Sequence, residues 1–480
     1  MHAMVLAAFA AVYLAEELGA PVVDGWAPYA PWAAVGPVVI GLIGLWVYTA
    51  SQMRGLDRDG RACRVRRVEA LASALRWGLL GVHAAAAILC GTLTWVRSLI
   101  GDVIALDELL VLSVFVLGLC AIEFIVYPVQ RRLRDAMIIR SLDSGLPVHP
   151  FPPRGRFVWL WARHHILFML VPLTLLLAWA ESIDRLVVRF DSSTLNRDAV
   201  LLVGQLLGLV GVFALIPPLL VRIWDTVPLR EGELRDRLEA LARAHGVRVR
   251  DFLVWRTSGL MLNGAAIGLV RPLRYVVLTD ALLDRLDPLE VEAVAAHEIG
   301  HIRHHHTIWL AASVLASVLL FGTASGWMLM AFEPGSRAEK IGLGAAMGVT
   351  LTLTLVVLGM VSRRFERQAD AFAARHLSGE RRGGAAVEIS PESAQAMAAA
   401  LRRVAAAHDI IIDRPTFRHG SIARRIRSLA AAVGRKSDDL EADRSAGRAR
   451  MWVAAMLAGG VILAGLDVAL SFGGLGVVSS

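Results

Sequence analysis

Long uncharged apolar runs alternate with charged stretches along this chain, and most are long enough for a helix of about 20 residues to cross a bilayer. Residues 31–50, 77–96, 199–221, 308–332 and 341–361 are the clearest. Residues 109–128 qualify although Glu123 lies among them, and 157–180 qualify if Arg163, His164 and His165 lie near one end. Residues 451–466 read as a last span, ended by Asp467. The first run, 3–15, is short and lacks a basic leader, so it reads as a weak span or an interfacial helix. An acid inside such a run is a functional candidate or the partner of another group in the bundle. Glu123 carries both readings. Pro217 and Pro218, near the end of their run, predict a kink or a stop.

Charge orients these spans. Seven arginines fall in residues 51–76 and six in 129–156, whereas 16–30 has no Lys or Arg and 97–108 has only Arg97. The basic loops predict the cytoplasmic side. Counting spans forward puts both long polar stretches, 222–307 and 362–450, on that same side. The composition agrees: of 480 residues, 56% are apolar and only 19% charged, against about 25% charged in an ordinary soluble domain. The net charge of +8 therefore reads as a topology signal, and no motif supports a nucleic-acid partner. Three cysteines (Cys63, Cys90, Cys120) give neither a disulfide framework nor a cysteine metal site.

The chemistry lies in Glu292-Ala-Val-Ala-Ala-His297-Glu298-Ile-Gly-His301, which follows Asp287-Pro, a helix start with Asp at the cap and Pro at the first position. Leu289, Val291, Val294, Ala295, Ile299 and Ile302 have helical spacing. His297 and His301 are then one turn apart on one face, the spacing at which two imidazoles hold one zinc ion. Glu298 follows the first ligand, where a carboxylate reaches a water activated by the metal. A third ligand is needed. After two spans comes Ser362-Arg-Arg-Phe-Glu366-Arg-Gln-Ala-Asp370, on the same predicted side, and Glu366 can complete a His, His, Glu set. Residues 253–255, 260–263 and 275–278 read as short strands and 280–286 as a short helix. They predict a small sheet whose edge, Asn263-Gly264-Ala265-Ala266, can pair with an extended peptide. His304, His305 and His306 are alternative ligands, with His305 one turn beyond His301, or a polar helix end at the membrane boundary, and the second reading is preferred.

Together these residues resemble the membrane-embedded zinc metallopeptidases that include the type I CAAX prenyl protease and the HtpX-type heat-shock protease. The resemblance covers roughly 225–430: the strand from Asn263 to Gly268, Val276-Val-Leu-Thr-Asp-Ala-Leu-Leu, His297-Glu-Ile-Gly-His301, the Glu366 segment, and His419-Gly-Ser-Ile-Ala-Arg-Arg425-Ile426. It implies that His297, His301 and Glu366 bind one zinc ion, that Glu298 is the general base and that His419 helps hold the tetrahedral intermediate. Asp370 and Arg425 would support the ligands, and Asn263, Gly264 and Ala265 would bind substrate. Gly264 follows Asn263 before Ala265, and Gly420 stands where the family has a proline. The spans before 222 are more like the prenyl-protease branch, whose helices enclose a chamber. The span at 451–466 departs from both branches.

The resulting expectation is a mainly α, polytopic helical membrane protein with a small α+β zincin-like metalloprotease domain. Its parts would be 1–222, N-terminal transmembrane helices with five or six spans; 223–307, a cytoplasmic α+β catalytic part with the HExxH helix; and 308–361, two transmembrane helices. Then come 362–433, the second catalytic part, 434–450, a polar linker, and 451–480, a C-terminal transmembrane helix. The function expected is a zinc endopeptidase of a bacterial cytoplasmic membrane, acting on a peptide or membrane-protein substrate in contact with the lipid bilayer. The alternative is a multi-spanning metal transporter or sensory receptor that uses the histidine cluster.

Overall fold

In the computed structural model, which describes residues 1–18, 25–143, 147–189, 194–333 and 336–475, the apolar runs are long helices. Parts of the expected loops 16–30, 129–156 and 181–198, and the end of 451–480, lie outside the described residues. The chain divides into two units, Met1–Thr226 and Val227–Ser480.

The first unit holds α1 (His2–Leu18), α2 (Ala30–Asp59), α3 (Cys63–Cys90), α4 (Thr92–Ile100), α5 (Leu106–Asp143), α6 (Arg154–Ala162), α7 (Phe168–Arg189) and α8 (Thr194–Ile223). A π turn at Arg163–Leu167 joins α6 to α7 without a break. The basic stretch 51–76 is mostly helix: Arg54 and Arg58 lie on the end of α2, Arg61 in the connector 60–62, and Arg64, Arg66, Arg67 and Arg76 on the first half of α3. The expected span 77–96 is corrected to α3, because Gly91 at φ +66° adopts a left-handed conformation that ends the helix. Pro217 and Pro218 do not stop α8, which continues to Ile223. Arg163 donates to the carbonyls of Arg222 and Ile223 at 2.7 and 2.6 Å, which satisfies the helix end. Glu123 is buried and takes Arg76 at 2.6 Å, so it is a partnered bundle residue. Leu45, Leu112, Phe115, Leu119, Ile122 and Ile166 form the core around it.

The second unit opens with β1 (Thr226–Pro228), α9 (Glu233–Ala244), β2 (Asp251–Trp255), β3 (Gly264–Ile267), β4 (Tyr275–Thr279), α10 (Asp280–Arg285) and α11 (Pro288–Arg303). It continues with α12 (His306–Ser317), α13 (Thr323–Leu329), α14 (Arg337–Leu377), α15 (Pro391–Ala407), α16 (Ile422–Ala430) and α17 (Glu441–Leu475). The sheet order is β1-β2-β4-β3, with β2 parallel and β3 antiparallel to β4, which leaves β3 at an edge. Residues 260–263 are not a strand. Ser258 and Gly259 both have positive φ, and Asp280 accepts from Thr257 Oγ1 at 2.5 Å and from the Gly259 N–H at 3.3 Å, so a turn occupies this segment and the strand starts at Gly264.

One core joins the sheet to the helices: Val276 and Leu278 of β4, Val294 and Ile299 of α11, Phe372 of α14 and Met397 and Leu401 of α15. The expected linker 434–450 is half helix. Ala446 and Ala449 are buried with Val361 and Phe365 of α14, and that apolar contact draws the first turns of α17 into order. Among the described residues eight helices are long and apolar enough to cross a membrane, five before 226 and three after it. This is a mainly helical, multi-pass architecture that carries a small sheet. At 1.5 Å per residue the 41 residues of α14 extend about 60 Å, roughly twice the hydrocarbon thickness. Its apolar half ends near Val361, so the half with Glu366 and Asp370 projects beyond.

Candidate metal centre

The start of α11 is fixed locally. Asp287 caps it, Pro288 takes the first position, and the Asp287 N–H donates to Glu290 at 3.1 Å to close a capping box. Arg403 of α15 clamps both acids, at 2.9 Å to Asp287 and 3.0 Å to Glu290. Ala293, Ala295, Ala296 and Ile299 are fully buried, which makes α11 a core helix whose orientation the sheet and α14 both set. The close approach to α14 depends on Gly300: a Cβ there would lie 3.1 Å from the Phe372 ring. A larger residue would push apart the two helices that carry the ligand set.

His297, His301 and Glu366 converge as a candidate metal site. The two Nε2 atoms are 3.1 Å apart, and each lies 3.8 Å from an oxygen of Glu366. Three ligands placed tetrahedrally around zinc at 2.0–2.1 Å are about 3.3 Å apart, so the donor set fits such an ion in number, type and spacing. Asp370, one turn beyond Glu366, faces His297 Nδ1 at 3.0 Å. A carboxylate only accepts, so Nδ1 carries the proton and Nε2 is left for a metal. Arg425 of α16 binds Asp370 through two hydrogen bonds, at 2.8 and 2.6 Å, and reaches Glu366 at 3.0 Å. Burial pushes His301 down to about 3, with His297 adding to the effect, which keeps the ring neutral as a ligand must be. For His297 burial acts the same way, but the Asp370 and Glu366 carboxylates outweigh it and hold the ring above its ordinary value.

Glu298 is half-buried and points to the sheet, where its Oε2 accepts from the Ala266 N–H at 2.8 Å. Burial raises its pKa above the ordinary carboxylate value, only partly offset by His297. The same bond corrects the reading of the edge. Asn263 O accepts from the Thr279 N–H at 3.0 Å, so Asn263 turns into the ladder and, with period two, Ala265 does also. Gly264 and Ala266 present their main chain to the free edge. Of the stretch Asn263–Ala266 expected to pair with a peptide, Gly264 and Ala266 keep that orientation, and Asn263 and Ala265 do not.

His419 lies with Nδ1 at 3.1 Å from Glu366 and its side chain 56% exposed. Gly420 explains the missing proline. It has φ +71° and exchanges two backbone bonds with Thr416 in a tight bridge. Proline is locked near −65° and cannot take that conformation.

Two features behind α11 escaped the sequence reading because each joins distant segments. In the first, Glu292 accepts from Arg237 at 3.0 Å and from His376 Nε2 at 3.0 Å, and His376 Nδ1 lies 3.0 Å from His245 Nε2. Burial, then His376 and the Arg381, Arg375 and Arg303 guanidinia, push His245 down to about 4 from 6.5. Between those values the unfolded chain binds the proton and the folded chain does not. Stability therefore falls as pH falls from 6.5 towards 4, by up to about 1.4 kcal/mol per pH unit. His245→Phe keeps a ring against Phe372 and is expected to flatten that slope in a pH series of thermal midpoints; a slope equal to wild type would remove His245 as its source. The second feature is the surroundings of His306, which is fully buried and touches His301, contrary to a polar helix end.

Residues 228–433 match the family described as Peptidase family M48. A CAAX prenyl protease 1 homolog of Arabidopsis thaliana is 29% identical over 184 residues, 35% of this chain and 43% of that relative. A protease HtpX homolog of Aeropyrum pernix is 31% identical over 175 residues, 36% of this chain and 51% of that relative. The chain thus spans about half the length of these curated relatives. The crystal structure of S. mikatae Ste24p overlaps 85% of this chain and 100% of its own at a TM-score of 0.40 and 16% identity.

Proposed function

We propose, from the match of residues 228–433 to peptidase family M48, that the chain is an integral-membrane zinc-dependent endopeptidase. The observation that carries this reading is one small triangle of two imidazoles and a carboxylate with Glu298 beside it, tied to the edge of a sheet. His297, His301 and Glu366 hold one zinc ion. When bound, zinc supplies the Lewis acidity that acidifies water and polarises a scissile carbonyl. The residues of the chain do the rest. A substrate peptide lies along β3 as an added strand, pairing with Gly264 and Ala266. A peptide carbonyl that takes the Ala266 N–H releases Glu298 from that bond. Glu298 then accepts the water proton and hands it to the leaving amine. His419, whose Nδ1 lies 3.1 Å from Glu366, would in its doubly protonated form donate Nε2–H to the oxyanion of the scissile carbonyl. Asp370 and Arg425 orient the ligands.

The arginine-rich helix ends support a cytoplasmic active site, with 223–307 and 362–433 as the catalytic parts. Processing or quality control of membrane proteins is the role this geometry suits. A metal transporter has less support, since α11 is not among the eight apolar helices and a transport site lies near mid-bilayer. The test is the zinc content of the purified chain with and without His297→Ala, joined to cleavage of a prenylated peptide and of a membrane-protein substrate. Stoichiometric zinc that the variant loses, with cleavage of either substrate, is expected. A wild-type chain without zinc, or a variant that keeps it, overturns the reading.

A further inference from the structure

His301 is a ligand only if its Nε2 is bare, and among the described residues no carboxylate plays for His301 the part that Asp370 plays for His297. Its Nδ1 instead lies 2.8 Å from Nδ1 of His306. In an unbroken helix residues five apart are about 140° from each other and do not meet. They meet here because α11 ends at Arg303 and His305 takes a left-handed φ of 56°, which turns the chain back before α12 begins at His306. A non-glycine residue holds such a conformation only where its surroundings fix it. His306 is fixed on both sides: its ring stacks on Phe365 at 4.4 Å, nearly parallel, and its Nε2 lies 3.0 Å from Gln368 Oε1.

The proton positions follow from the far end of this chain of contacts. Arg450 donates to Gln368 Oε1 at 2.6 Å, and Gln368 Nε2 donates to Asp443 Oδ1 at 2.5 Å. A guanidinium only donates and a carboxylate only accepts, so these two residues of α17 settle which end of the amide is which. The amide oxygen faces His306 Nε2, which must therefore carry its proton. Neutral His306 then has a bare Nδ1, which accepts from His301 Nδ1–H. That leaves His301 Nε2 free, on the side of His297 and Glu366. Arg375, at 2.8 Å, holds the other oxygen of Asp443.

We propose that His306 and Gln368, oriented by Asp443 and Arg450, are positioning residues that fix His301 in the tautomer able to bind metal, so that the C-terminal helix is part of the support of the metal centre. This rests on the zinc reading above. It gives a role to the one span that departs from the family resemblance, and to a histidine that spacing alone leaves as a helix end.

The test uses the full chain in detergent, with zinc affinity measured by chelator competition and the thermal midpoint of the metal-free chain measured alongside. His306→Phe keeps the stack on Phe365 but offers no acceptor. It is expected to weaken zinc binding by about 10–100-fold, the usual effect of losing a partner of a ligating histidine, without lowering the metal-free midpoint. Gln368→Leu is expected to weaken binding in the same direction, and the double exchange Gln368→Glu with Asp443→Asn, which keeps an acceptor for His306 and a donor–acceptor pair between the two positions, to restore it relative to Leu. Wild-type affinity in both His306→Phe and Gln368→Leu overturns the proposal. So does a metal-free midpoint that falls in parallel with affinity, since that marks a packing role. If the wild-type chain itself binds no zinc, the reading of the whole site fails first; if it binds zinc and these variants bind it equally well, only this inference fails.

Discussion

Glu298→Gln is expected to lower kcat by about 10²–10⁴-fold, the range for losing a general base, and to leave zinc content unchanged. The substitution is close to isosteric, and the amide oxygen of the introduced glutamine still accepts the Ala266 N–H that Glu298 accepts at 2.8 Å. Packing of α11 against β3 therefore persists, and His297 and His301 stay in register. What disappears is the basic oxygen. An amide cannot take a proton from water at neutral pH, so the loss falls on kcat while substrate binding, and with it KM, changes little. Purified wild-type and variant chains compared for metal content, kcat and KM on one substrate give the answer. Wild-type turnover in the variant would remove Glu298 from the chemistry. Loss of zinc would make it a structural support of the ligands instead.

What the sequence disclosed and what it concealed divide along a physical line. His297 and His301 were legible because helical geometry alone brings residues four apart onto one face, and the cap at Asp287 and Pro288 announced the helix. The spans were legible because hydrocarbon admits only long uncharged runs. Glu366 needed one further step, the count of spans that returns the chain to the same side. The edge register was not legible, since it depends on where the turn at Ser258 and Gly259 ends, and a shift of one residue exchanges the inward and outward sets. His306 was hidden for a related reason. Its contact with His301 exists only because the helix breaks at His305, and no spacing rule marks a break at a histidine. The Arg76 partner of Glu123 was concealed because the pair joins α3 to α5, which sequence proximity does not show. Local periodicity was readable, and pairings between distant segments were not.

Arg425→Met is expected to destabilise the metal-free chain by about 3–5 kcal/mol, the range for removing one member of a buried ion pair. Arg425 is 7% exposed and faces two carboxylates, Asp370 at 2.8 and 2.6 Å and Glu366 at 3.0 Å. Methionine fills much of the same volume but leaves both acids buried beside each other with no cation between them. Zinc changes the balance, because an ion held by Glu366 supplies positive charge to the same place. The penalty should thus be smaller in the zinc-loaded chain. By linkage, added zinc should raise the thermal midpoint of the variant more than that of wild type. Arg425→Lys separates charge from geometry: it restores a cation, but a single ammonium cannot span both carboxylates as the planar guanidinium does, and its midpoint should fall between the other two. Because the chain has two units, hydrogen exchange along α16 and the end of α14 is the readout that assigns the loss to this cluster. Unchanged protection there in metal-free Arg425→Met would mean that the two carboxylates do not depend on Arg425, and the electrostatic account of how the ligand set is held would be wrong.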